Sequence, residues 1–268
     1  MSSLTRPEPS IHWGVVPALA VSLSATVLFA FLNPWGYLLL AVGVAGGFAH
    51  SRALGRDLAI IGAGLVIVSS WPMEANLDWW NIVVMGAVLT AAVGVPFLLD
   101  RWWGERTIRF PLRRGEPWSR LERAWLVAVL VLGWLILPFY FIRSESYLNW
   151  PAVHEWHEVA RLLIGVSAVG IWDELFFICT IFALYRRHFP MWTANVLQAI
   201  VFVSFLWELG YRSWGPVMTS VFALVQGWIF QKTRSLTYVI CVHLLFDLVV
   251  FLVIVHAHNR EWFAWFIY

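Results

Sequence analysis

The sequence predicts an all-α polytopic membrane protein of eight to nine transmembrane helices, and three observations carry that prediction. Hydrophobic residues make up 60% of the 268-residue chain, whereas charged residues make up only 13%, about half the share found in soluble domains. Mean hydropathy is +0.73. The apolar residues also fall into runs approaching the ~20 residues that a bilayer span needs. Breakers separate these runs at Asn33-Pro34, Pro72, Pro151, Pro190 and Gly215-Pro216.

The first run, near 13–31, follows a short polar leader with Arg6, Pro7 and Pro9. Too few apolar residues precede Ala18 and Ala20 for a cleaved signal core, so the run reads as a retained helix. The next two, near 36–50 and 57–71, are short enough to form a tilted or re-entrant hairpin, hence eight to nine spans. A fourth follows near 80–99. Beyond the basic stretch come runs near 124–142, 161–185, 191–210, 214–231 and 236–256. This divides the chain into a four-span scaffold (1–99), a basic cytoplasmic loop (100–123), a core (124–256) and a short external tail (257–268).

Charge placement orients the chain. With the N-terminus inside, fourteen of the eighteen Lys and Arg residues lie in inner segments, seven of them from Arg101 to Arg123. Only Arg143, Arg161, Arg212 and Arg260 lie outside, as the positive-inside rule requires. Trp79, Trp80, Trp102, Trp103, Trp150, Trp192, Trp214 and Trp262 sit near predicted helix ends, where an interfacial aromatic belt is expected. No basic run suggests a nucleic-acid partner. Cys179 and Cys241 lie in apolar runs and offer neither a disulfide framework nor metal-ligand spacing. No internal repeat suggests an inverted-repeat transporter.

The first four spans hold almost no buried polar group. The later ones carry Asp173, Glu174, Asn195, Gln198, Glu208, Gln226, His243 and Asp247. Asp173 and Glu174 are the only ionisable residues between Leu162 and Leu184. A mid-membrane charge costs roughly 2.5–3.5 kcal/mol on insertion scales, so the pair reads as the centre of a polar site. His243 and Asp247, four apart, share one helix face, where the carboxylate can orient the ring. Acids and an imidazole on neighbouring helices are the minimum for acid/base hydrolysis. Asn195 and Gln198 read most simply as interhelical hydrogen-bond glue. Glu208 reads as half of a surface pair with Arg212. In His154-Glu155-Trp156-His157-Glu158 the imidazoles are three apart and not four, so an amphipathic interfacial turn is expected there and not a zinc helix.

The order of these motifs resembles the CAAX-protease and bacteriocin-processing (CPBP) intramembrane proteases over roughly Glu122 to Val250. That family carries Glu-Glu-x-x-x-Arg, then Phe-x-x-x-His, then His-x-x-x-Asn/Asp. Here Asp173 and Glu174 take the first two positions, and His243 and Asp247 the last pair. Three positions depart from the pattern: Asp173 replaces a Glu, Ile178 the Arg, and Leu206 the His of Phe202-Val203-Ser204-Phe205-Leu206.

The resemblance implies a CPBP-like four-helix core and a glutamate-type endopeptidase that processes a membrane-bound or lipid-anchored peptide or protein. Asp173 or Glu174 would activate water. His243, aided by Asp247, would stabilise the oxyanion, with Glu208, Asn195 and Gln198 as accessory candidates. No metal or other cofactor is expected; membrane lipids are. The location expected is a prokaryotic plasma membrane with the N-terminus cytoplasmic; His243 then falls in the inner half of its helix and Asp173 near mid-membrane, so the cavity is expected to open toward the cytoplasmic leaflet. The damaged motifs sustain an alternative, a catalytically inactive relative that serves as scaffold or partner-binding subunit of a membrane complex.

Overall fold

A computed structural model describes residues 10–103, 105–112 and 117–268. The leader with Arg6, and Arg113 and Arg114 of the basic loop, lie outside the described residues. Within them the chain forms nine helices: α1 (Val15–Ala30), α2 (Trp35–His50), α3 (Arg52–Val68), α4 (Trp79–Trp102), α5 (Arg120–Arg143), α6 (Trp156–Arg186), α7 (Met191–Leu209), α8 (Gly215–Thr233) and α9 (Leu236–His258). Five of them, α4, α5, α6, α7 and α9, are long and apolar enough to cross a membrane. The protein is therefore a polytopic membrane protein. Helices α2 and α3 have 16 and 17 residues, about 25 Å of rise against a ~30 Å hydrocarbon core.

Local sequence sets the helix ends. Ser51 caps α3 by accepting the Leu54 N–H. Ser119 and Glu122 close a reciprocal capping box on α5, and Glu155 and Glu158 do the same on α6. Gly210, at φ 124°, ends α7 in a conformation that other residues adopt only with strain. Helix α9 packs along α5 and α6, α7 along α8, and α1 along both α2 and α7. The largest apolar cluster runs through all of these, from Ala18 to Phe266.

Two sequence expectations need correction. The first four helices do bury polar groups: Asp57 and Asp100 are both almost fully enclosed. Asp57 accepts bonds from Arg187 Nη1 at 2.9 and 3.0 Å and from His188 Nε2 at 2.7 Å. Helix α3 starts at Arg52, five residues earlier than expected, which carries Asp57 inward against the α6–α7 corner. Trp150 is not part of an interfacial belt. It is 6% exposed and packs edge-on against Phe141 and Tyr211.

Candidate active site

The two acids sit near the middle of α6, where its backbone changes. From Glu174 to Phe182 the helix widens to π geometry, and the Thr180 hydroxyl donates to the carbonyl five residues back, on Leu175. Such wide turns recur at functional sites because they re-aim side chains that a regular helix would spread. Opposite them, α9 presents His243 and Asp247 one turn apart. All four side chains are buried.

The imidazole stands between the acids. Its Nδ1 lies 2.7 Å from Glu174 Oε1. Its Nε2 lies 3.6 Å from Asp173 Oδ2 and 3.8 Å from Asp247 Oδ1. The first contact is a hydrogen bond; the other two are too long for one. Gln226 on α8 donates through Nε2 to the same Glu174 oxygen at 2.7 Å and to the Val239 carbonyl at 3.2 Å. Phe222 closes over the ring edge-on, with centroids 4.9 Å apart. Gly170 makes room: a Cβ there would collide with Asp247 Oδ2 and come within 3.3 Å of His243 Cδ2.

The cluster is rich in acceptors and short of donors. Asp173 Oδ1, Glu174 Oε2, Asp247 Oδ2, Gln198 Oε1 and Gln226 Oε1 are buried without a hydrogen-bond partner among the described residues. A cavity of about 140 Å³ reaches Asp173, His243 and Asp247, which is room for several waters. Glu174 is not on its wall. That carboxylate borders a separate space of about 10 Å³ with Ile178, Gln198 and Gln226. The cavity therefore meets the Nε2 face of the imidazole, and Glu174 holds the opposite face.

From Asp173 the cavity runs past Gly170, Val166 and Leu162 to Arg161, and reaches Glu74, Asn76 and Leu77 in the α3–α4 connection. That connection and the arginine-rich segment lie at opposite ends of α4, so the opening is not on the arginine-rich side. This overturns the expected opening. The small residues that make room on α6, Gly165 and Gly170, lie at and above Asp173 on the Arg161 side, while Phe177 and Ile178 fill the other side.

Among the accessory candidates, Asn195 and Gln198 act as interhelical connectors. Asn195 Nδ2 donates to the Leu224 carbonyl at 2.8 Å, and Gln198 Nε2 to Asn195 Oδ1 at 2.9 Å and the Ala223 carbonyl at 3.1 Å. Glu208 is remote from the cluster: its Oε1 accepts the Met73 N–H at 3.0 Å, while Arg212 lies over the Trp207 ring. Leu206, in the position of the missing His, lines the same cavity as Asp173, beside Phe202. In the outer histidine segment Glu158 accepts the N–H groups of His154 and Glu155. His256 is engaged by the Trp262 carbonyl and the Tyr268 hydroxyl.

The sequence offers Asn195, Gln198 or Gln226 as hydrogen-bond partners of the two acids, and Gln226 is the one that bonds Glu174; Gly170 and Tyr211 carry no such signal. Tyr211, in the turn between α7 and α8, also faces the cavity. Burial, then the nearby Asp247 and Asp173 charges with Tyr140 between them in weight, holds its phenol well above its ordinary range, so it stays a neutral O–H.

Residues 155–249 match the family model described as type II CAAX prenyl endopeptidase Rce1-like, a stretch that includes all four clustered residues. No curated protein matches the chain, and no solved structure does. The motif order, the buried acid–imidazole–acid cluster and this match agree: within a polytopic membrane protein, residues 155–249 are similar to the Rce1-like family of type II CAAX prenyl endopeptidases.

Proposed function

We propose that the protein is an intramembrane endopeptidase that hydrolyses a membrane-bound or lipid-anchored peptide. One observation carries the reading: an imidazole fixed at Nδ1 by a carboxylate, with Nε2 and two further carboxylates turned to a cavity that admits water. In this mechanism Glu174 accepts the Nδ1–H of His243 and sets its tautomer, a proton position assigned from the bonding pattern. Water between Nε2, Asp173 and Asp247 attacks the peptide carbonyl as Nε2 takes its proton. The imidazolium, stabilised by Glu174, then gives that proton to the leaving amine as the C–N bond breaks. Asp173 is thus beside the water, and Glu174 acts through the ring. This divides roles that the family resemblance leaves to either acid.

The scaffold alternative draws on Ile178 and Leu206, which replace the family's Arg and His. It calls for a cluster whose polar atoms satisfy one another, and five unpartnered acceptors weigh against it. The distribution of arginines supports a cytoplasmic N-terminus. Membrane lipids and the substrate peptide are the partners in this reading.

The test compares peptide termini in membranes from the native cells carrying wild-type protein, Asp173→Asn or His243→Gln. New termini that vanish in both variants support the proposal. Identical terminus profiles, with all three proteins folded and equally abundant, would remove it in favour of the scaffold.

A further inference from the structure

We infer that the cavity is a binding trough for a peptide carboxylate, with Arg161 as its specificity-determining residue and access from the face opposite the arginine-rich segment. The inference rests on the endopeptidase reading for its consequence, but the binding step stands apart from catalysis.

Charge along the trough is polarised. Its floor carries Asp173, Asp247 and His243, and Glu74 adds a further acid at the rim. Arg161 is the one Lys or Arg among the described residues lining it. The guanidinium is held at the mouth by the Leu77 carbonyl, 2.8 Å from Nη1, and by the Trp79 ring, whose centroid is 5.6 Å away. An entering carboxylate is repelled by the acids of the floor and retained at Arg161, whose Nε and Nη1 donate to the His157 and Leu77 carbonyls and leave Nη2 to meet it.

The walls suit an extended chain. Gly86 of α4 and Gly165 of α6 both line the trough, and a Cβ built on either meets nothing within 4 Å. Between the mouth and the floor the lining is mainly apolar, with Met85, Leu89, Val166 and Val169. Arg161 and Asp173 are twelve positions apart on one helix, about 18 Å of rise. An extended peptide covers that distance in about five residues. The carboxylate, from a chain terminus or an acidic side chain, therefore sits about five residues from the bond presented to His243.

The test labels Gly165→Cys in the full-length protein, in sealed vesicles of each orientation, with a membrane-impermeant maleimide. Wild-type protein is the blank for Cys179 and Cys241. Three short apolar peptides compete: a free acid, its C-terminal amide, and the amide with one internal Glu. Labelling is expected only from the face bearing the α3–α4 connection, with the free acid protecting the thiol at concentrations about tenfold lower than the plain amide. Protection by the Glu-containing amide as well would assign the carboxylate to side chains in addition to chain ends. Arg161→Gln should abolish the preference and Arg161→Lys retain most of it. Gly86→Cys gives the same readout from the opposite wall if Gly165→Cys does not fold. Equal protection by acid and plain amide, or labelling from the arginine-rich face, overturns the inference. Protection without any cleavage would refute the endopeptidase reading and leave the trough standing.

Discussion

Glu174→Gln separates the two roles that a buried carboxylate can have in this cluster. If Glu174 itself activated water, the change would remove the base and leave only background. If Glu174 orients and stabilises His243, the outcome depends on which way the new amide faces. Gln226 Nε2 donates to the same Oε1 that meets His243 Nδ1, both at 2.7 Å. That donor keeps the amide oxygen, and not the NH2, at the Oε1 position. The Nδ1–H tautomer is then preserved, and what is lost is the charge that stabilises the imidazolium. A hydrogen bond to a charged group contributes about 1.5–3 kcal/mol, so the turnover rate should fall about ten- to hundredfold at 1.36 kcal/mol per decade. Adding Gln226→Leu frees the amide to turn its NH2 toward Nδ1, which forces the ring proton to Nε2. By analogy with wrong-tautomer variants of serine-protease triads, the double variant should approach a loss of about 10⁴. The assay is the initial rate of terminus release in proteoliposomes at matched protein, with thermal melting as the control for folding. Should Glu174→Gln alone be as inactive as Asp173→Asn while both remain folded, Glu174 contacts the water and the division of roles is wrong.

Gly170→Ala drives a methyl into Asp247 Oδ2; overpacking of this kind costs about 1–3 kcal/mol. It should lower both the melting temperature and the rate, whereas Gly94→Ala, with nothing within 4 Å of its Cβ, should do neither. Leu206→His puts a second imidazole on the cavity wall next to the water position, and a rate gain of about tenfold or more is expected. An unchanged rate and pH profile would show that position 206 does not reach the reacting atoms. Asp57→Asn removes the charge that holds Arg187 and His188 and should destabilise the protein by about 1.5–3 kcal/mol in thermal melts. Glu105→Gln, whose 2.6 Å pair with Arg187 is partly exposed, should cost under about 1 kcal/mol.

The membrane fold and the four clustered residues were legible because their signals are local. Nine apolar runs gave nine helices, and two acids in one such run cannot be mistaken for lipid-facing residues. His243 and Asp247 declared a common face by their spacing alone. What stayed hidden depends on register between helices. Nothing in the sequence says that Gln226 and His243 share one oxygen of Glu174, or that Gly170 leaves room for Asp247, because each is set by how α6, α8 and α9 slide past one another. Asp57 was hidden for the same reason, since its partner Arg187 lies 130 positions away. The wide turns after Glu174 have no composition of their own, and Glu208 pairs with a backbone N–H that no side-chain pattern announces.

The departures from the family motifs and the direction of the cavity belong to one physical account. An Arg at position 178 would bring a long, hydrated cation beside Glu174, and an imidazole at 206 would add a second polar group to the water face. With Ile178 in place, the space next to Glu174 is about 10 Å³, room for one water at most. Phe177 and Phe202 border that same space and shield it with apolar surface. The cavity that reaches Asp173, His243 and Asp247 extends along the glycine-lined trough to the Arg161 end. The imidazole meets it with Nε2, the one ring nitrogen not already committed to Glu174. Losing the family's Arg and His thus does more than subtract two polar groups. In the proposed mechanism it leaves Asp173, His243 and Asp247 to meet the cavity, and Glu174 to act through the ring.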